Sequence, residues 1–184
     1  MLKLNLGCGK DLKKDYVNLD IVDYGGNQIH DINTFPYPFP DNHFDEIYAS
    51  HVLEHIDNFN KTITELYRIL KPDGLMIVFA PFFLNTKYFG DPDHKIPFSI
   101  RTFDNYEYIG SRKLKFYEKW KLNHRTNYET GVQFEILDKR FITSHFAIIK
   151  WMDYLVNIEP VMYERFLSGI FSPEEVYFKL RAIK

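Results

Sequence analysis

Apolar and polar residues in the first half of the chain fall into short runs that switch period. Leu2 to Leu6 reads as a buried strand running straight into Gly7-Cys8-Gly9, and a second apolar run from Tyr16 to Leu19 ends in Asp20. Asn27 to Ile32 predicts a third strand. Thr34 to Asn42 carries Pro36, Pro38 and Pro40 and is excluded from regular structure. Phe44 to Ser50 predicts a fourth strand. Over residues 57–70, Phe59, Ile63, Leu66, Ile69 and Leu70 recur at helical spacing, and Pro72-Asp73-Gly74 stops that helix before a fifth strand, Leu75 to Ala80. Strand, helix, turn, strand in this order predicts an α/β domain with a mainly parallel sheet and ligands at the strands' carboxyl ends.

The second half differs in texture. Residues 85–110 are loop-rich, with Pro92, Pro97, Gly90 and Gly110, and residues 112–122 alternate as a strand or hairpin arm would. Residues 145–156 predict an amphipathic helix broken by Pro160, and Val161 to Phe171 a second short helix. Ser172 to Glu175 has the form of a capping box, while Val176, Phe178 and Leu180 alternate with Tyr177, Lys179 and Arg181; one helical turn followed by a closing strand is expected.

Composition narrows the classes. A chain of 184 residues, 45% hydrophobic, buries one substantial core, so a single domain over 1–184 is expected. The net charge of −2 gives no global field for nucleic acid or an anionic membrane. Cys8 is the only cysteine, so there is no internal disulfide, and no metal is expected from the ligand spacings. The sequence shows neither a signal peptide nor an apolar run of ~20 residues, which predicts a cytoplasmic protein without a membrane span.

The glycine turn and its acids carry the candidate chemistry. Without a Cβ at Gly7 or Gly9, backbone can approach a ligand closely. A dinucleotide fingerprint would need a third glycine at position 12, which is Leu12, so a pyrophosphate ligand and a nicotinamide-dependent oxidoreductase are disfavoured. Asp20 and Asp31, each closing a strand on the same rim, supply acceptors suited to a ribose diol and an adenine amino group.

These residues resemble the class I S-adenosylmethionine-dependent methyltransferases, in particular a short prokaryotic type. The matching stretches are LNLGCG (4–9), VNLDI (17–21), HDI (30–32), FPDNHFDEIYASHVLEHI (39–56) and YRILKPDGLMIVFAP (67–81). The resemblance implies a Rossmann-like fold, mostly parallel with an antiparallel closing strand, divided into a cofactor-binding half (1–83) and a substrate and lid half (84–184) with a helical insertion at about 144–171. It implies S-adenosylmethionine as cofactor, with Gly7 and Gly9 beneath the methionine moiety, Asp20 on the ribose, Asp31 and Ile32 at the adenine, Ser50 and His51 at the sulfonium, and Leu6, Cys8 and Ile21 in the same binding set. Eleven residues separate Gly9 from Asp20 and Asp20 from Asp31, so the first two crossovers are too short for full helices. The family's N-terminal helices also lack a counterpart before Leu2. One sheet face is therefore expected to lack cover, and residues 141–171 either fold back over it or form a homodimer contact.

The sulfonium already activates its methyl group, so the protein's task is to hold a nucleophile in line, exclude water and accept a proton. His51, His55 and His94 are candidate bases, His94 first and His51 second, because similar sequences carry Asp-Pro-x-His in the loop after the fifth strand. Glu54 and His55 also read as part of a helix start. The pattern His51, Glu54, His55 departs from the two-histidine zinc helix, since Val52 stands where its glutamate would be. Phe82, Phe83, Tyr88 and Phe89 suggest an aromatic pocket, and the expected reaction is methyl transfer to a hydroxyl or amine of a small-molecule or glycan-type acceptor. Two alternatives stand beside it: a catalytically inactive cofactor-binding partner subunit, and a nucleic-acid methyltransferase using the basic segment 112–125.

Overall fold

The computed structural model describes residues 1–108, 110, 131–143 and 151–184. Among the described residues seven strands form one sheet in the order β3-β2-β1-β4-β5-β7-β6. They are β1 (Lys3–Leu6), β2 (Val17–Asp20), β3 (Gln28–Ile29), β4 (Phe44–Ser50), β5 (Leu70–Pro81), β6 (Phe134–Ile142) and β7 (Glu175–Ala182). The first five pair in parallel, and β7 inserts antiparallel between β5 and β6. This is the expected mostly parallel sheet with an antiparallel closing strand.

The covered face carries the core. Leu4 and Leu6 of β1, Ile47 and Ala49 of β4, Met76 and Val78 of β5, and Phe178 and Leu180 of β7 lie in register and are fully buried. Helix α1 (Phe59–Ile69) buries Ile63, Leu66 and Ile69 in this core, and the Asn58 side chain caps it by accepting the Lys61 N–H at 3.0 Å. Phe98, Phe103 and Tyr106 continue that layer, with Phe103 edge-on to Phe178 at 4.9 Å. The other face exposes part of Tyr48, Ile77 and Phe79.

That thin cover follows from the first two crossovers, which contain no helix. Instead, buried amides pin residues 7–16: Asn5 Nδ2 donates to Asn18 Oδ1 (2.9 Å) and to the Asp11 carbonyl (2.8 Å), and Asn18 Oδ1 also accepts the Lys13 N–H (2.9 Å). Asn27 ties the second crossover by accepting from Tyr24 N–H and donating to the Val22 carbonyl.

Several expectations need correction. The third strand shrinks to two residues, because Asp31 turns the chain by accepting the Asn33 N–H at 2.9 Å. Strand β5 begins at Leu70 and takes Pro72-Asp73-Gly74 into a register shift against β4. No helical turn forms at Ser172 to Glu175: Glu174 N–H bonds the Ile142 carbonyl (2.9 Å) and its own carbonyl accepts from Phe82 N–H (3.0 Å), committing the segment to the sheet. Pro160 does not merely break a helix; it opens one, at the first turn where its missing N–H costs nothing.

Helices α2 (Thr86–Phe89), α3 (Trp151–Val156) and α4 (Pro160–Phe166) complete the described elements, with short 3-10 turns at Leu53–His55 and Asp104–Tyr106. Residues 151–166 do not fold back over β1–β3. They lie along β6, at the opposite edge, where Asn157 bonds both backbone groups of Phe141 (2.7 and 2.8 Å) and Glu164 accepts from Ser99 and Ile100. Trp151, Tyr154, Ile158, Met162, Phe166 and Ile170 remain exposed there. The expected strand over 112–122 and the basic segment 112–125 lie outside the described residues, as does the start of the helix expected from 145. No helix among the described residues is long and apolar enough to cross a membrane.

Candidate cofactor cleft and histidine cluster

Strand β1 delivers the glycine turn to the sheet's carboxyl rim, where Gly7 and Gly9 adopt φ of 60° and 50°. The two glycines are needed for different reasons. A Cβ on Gly7 would stand 2.2 Å from Val52 Cγ2, whereas one on Gly9 would meet nothing within 4 Å. At Gly7 it is thus Val52 that takes up the space a side chain would need. Gly9 donates its N–H to Asp20 Oδ2 (2.8 Å), and Val22 N–H reaches Asp20 Oδ1 (3.0 Å). These two donors fix the carboxylate while each oxygen keeps a lone pair for a ligand hydroxyl.

A cleft of about 220 Å³ opens beside this turn. Its wall brings together Gly7, Asp20, Ile21, Asp31 and Ile32 from the expected set, with His30, Asn33, Val52 and His55 in addition. Leu6 is buried in the core, Gly9 acts through its N–H, and Ser50 and His51 stand at the end of β4 outside the cleft wall. Cys8 is buried, and burial with the nearby Asp20 carboxylate raises its thiol, which keeps it protonated as a packing residue. Val52 carried no signal of its own, and His55 was expected as a candidate base and part of a helix start rather than on the cofactor cleft; the 3-10 turn at Leu53–His55 brings both to the cleft wall.

The histidines are held in ways the sequence did not disclose. His51, at φ 52°, faces carboxylates with both ring nitrogens: Nε2 is 3.4 Å from Glu175 and Nδ1 is 3.5 Å from Glu54. Glu175 first and Glu54 second raise its pKa to about 9, so the ring is an imidazolium at neutral pH without a free lone pair. Held in that state, the second-ranked candidate base must give up its own proton before it can accept one. His94 is buried, stacked on Tyr88, and donates from Nδ1 to the Tyr88 carbonyl at 2.7 Å. Its Nε2 turns inward, 4.0 Å from Glu54 and 3.7 Å from Asp91. His55 lies beside it, ring centroids 4.7 Å apart. Of the expected aromatic pocket, Phe82 is buried in the core and Phe89 is largely exposed.

Comparison with known proteins agrees with this geometry. Residues 4–78 match the family described as "Methyltransferase domain". A sterol 24-C-methyltransferase of Pneumocystis carinii is 29% identical over 119 residues, 64% of this chain and 29% of that protein. A ubiquinone/menaquinone biosynthesis C-methyltransferase of Psychromonas ingrahamii is 41% identical over 46 residues, 25% of this chain and 18% of that protein. The chain thus spans under a third of the length of these curated relatives. The crystal structure of a SAM-dependent methyltransferase from Archaeoglobus fulgidus superposes with a TM-score of 0.61 at 16% identity, covering 98% of this chain and 85% of that one, a likeness of fold. Sheet order, glycine turn and family match point the same way: residues 4–78, under half of the chain, are similar to the family described as a methyltransferase domain, on a sheet with the fold of the solved methyltransferase.

Proposed function

We propose that this chain is an enzyme that transfers a methyl group from S-adenosylmethionine to a hydroxyl or amine of a small-molecule or glycan-type acceptor. The observation that carries the reading is the cleft that gathers Gly7, Asp20, Ile21, Asp31 and Ile32 at the carboxyl rim of a class I sheet. Its donor and acceptor set fits an adenosyl group. Asp20, oriented by two backbone N–H groups, receives the ribose hydroxyls, and Asp31, with Oδ1 held by Asn33 N–H, keeps Oδ2 for the adenine amino group. When bound, the cofactor supplies an electrophilic methyl on sulfur. The chain's own work is to orient that group, exclude water and position the acceptor. Of the three candidate histidines only His55 lines the cleft, with His51 set between two carboxylates and His94 Nε2 turned toward Glu54, so an amine, whose lone pair needs no prior deprotonation, suits this site with the least demand on a base.

The named activities of the curated relatives favour a second reading, a carbon acceptor. Purified protein, methyl-labelled cofactor and a nuclease-treated cell extract test these readings together. Label in a small-molecule or glycan fraction supports the proposal, and the position of the label separates oxygen, nitrogen and carbon. Label that needs intact nucleic acid, or cofactor binding without any transfer, refutes it in favour of a nucleic-acid methyltransferase or an inactive partner subunit.

A further inference from the structure

Glu54 presents an unusual group. Its side chain is fully buried, neither carboxylate oxygen has a hydrogen bond among the described residues, and the His51 ring 3.5 Å from it is shared with Glu175. A buried carboxylate without hydrogen bonds carries a large desolvation penalty, which a charge shared at that distance offsets only in part. Two further imidazoles face it. His94 Nδ1 is committed to the Tyr88 carbonyl at 2.7 Å and His55 Nδ1 to the Asp93 carbonyl at 3.3 Å. A carbonyl only accepts, so each ring carries its proton on Nδ1 and leaves Nε2 as the lone-pair atom. Imidazoles fixed in this way by backbone carbonyls are the usual supports of metal-ligating histidines.

The three residues converge. One ligating atom from each of Glu54, His55 and His94 lies within 4.8 Å of the others. The loop that carries His94 is fastened to the turn that carries Glu54, since both Lys95 and Ile96 donate backbone N–H groups to the Glu54 carbonyl (2.7 and 2.9 Å). Lone pairs pointing together with no donor between them repel unless a cation or extra protons lie among them. Ligands about 2.0–2.2 Å from a tetrahedral centre stand about 3.3–3.6 Å apart, so the widest pair of this cluster would close by up to about 1.5 Å.

We propose that Glu54, His55 and His94 form a binding site for a divalent transition-metal ion of the zinc class. Two imidazoles and one carboxylate suit zinc, iron(II) or cobalt(II), whereas magnesium and calcium take oxygen ligands. Three protein ligands leave at least one coordination position open. His55 also belongs to the wall of the cofactor cleft, so the ion bridges that cleft and the Asp91–Ile96 loop.

The test uses full-length protein, tag removed and chelator-stripped, titrated with cobalt(II) and followed by visible absorption. One equivalent should develop d–d bands that an equivalent of zinc bleaches, and Glu54→Gln should lose them. Because Glu54 and His94 are buried, the partly exposed His55→Gln serves as the milder variant, with its fold checked by far-UV circular dichroism; it too should lose the bands. Absence of bands in the folded parent overturns the proposal and leaves protonated imidazoles as the counter-charge. Bands that persist in folded His55→Gln and Glu54→Gln overturn it equally.

Discussion

Replacing Gly7 and Gly9 separately by alanine gives a sharp test of how the cofactor turn is built. Both residues sit in the left-handed region, at φ 60° and 50°, where an L side chain costs about 1–2 kcal/mol. Gly9→Ala should lose about that and no more, because its Cβ enters open space. Gly7→Ala adds a contact of 2.2 Å with Val52 Cγ2 and 2.7 Å with Val52 Cβ, which packing must relieve by moving β4's continuation. Overpacking of this kind costs about 1–3 kcal/mol, so Gly7→Ala should lose roughly 2–5 kcal/mol in total. Urea unfolding at 25 °C reads both, with unchanged m-values as the check that the same transition is compared. Adding Val52→Ala should return part of the loss in Gly7→Ala and none in Gly9→Ala, a coupling of about 0.5–3 kcal/mol. Equal losses for the two alanines, or no coupling to Val52, would refute the claim that Val52 sets the need for glycine at position 7.

Three further outcomes follow from the same contacts. Asn18→Ala should cost about 1–3 kcal/mol in urea unfolding, because it strands the buried Asn5 amide and the Lys13 N–H that hold the helix-free crossover. Phe178→Ala, which empties the site edge-on to Phe103, should cost about 3–5 kcal/mol by the same assay, and a loss under 1 kcal/mol would contradict the packing described. Burial alone would raise the Glu65 carboxyl, but Arg68 and the Tyr37 N–H outweigh it and hold it below its ordinary 4.5. A depressed folded value means stability that is fully present above about pH 4.5 and lost as pH falls through the lower folded value, so Glu65→Gln should flatten the acid limb of a stability–pH curve.

What could be read from the sequence was local, and what could not was brought together from distant segments. Strand β4 occupies the expected residues, since Phe44, Ile47 and Ala49 are buried between a proline loop and a turn. Helix α1 was legible in the spacing of Phe59, Ile63, Leu66 and Ile69, and its cap at Asn58 emerges from the structure. The missing crossover helices were legible as arithmetic, and the thin face beside Tyr48, Ile77 and Phe79 is their consequence. The capping-box pattern at Ser172 failed because Ile142 and Phe82, remote in sequence, claim Glu174's backbone. The state of His51 was equally hidden, because one of its two carboxylates, Glu175, belongs to the last strand. Glu54, His55 and His94 came into view as a cluster only when the 91–96 loop folded onto the turn after β4.

The central claim is that the Gly7–Asp20–Asp31 cleft holds an adenosyl amino acid, and calorimetric titration with S-adenosylhomocysteine tests it most directly. The parent protein should bind one equivalent, with NAD giving no heat, and Asp20→Ala should weaken binding by about 1–3 kcal/mol through the lost hydrogen bonds. Undiminished affinity in a folded Asp20→Ala protein, or no binding by the parent, would contradict it.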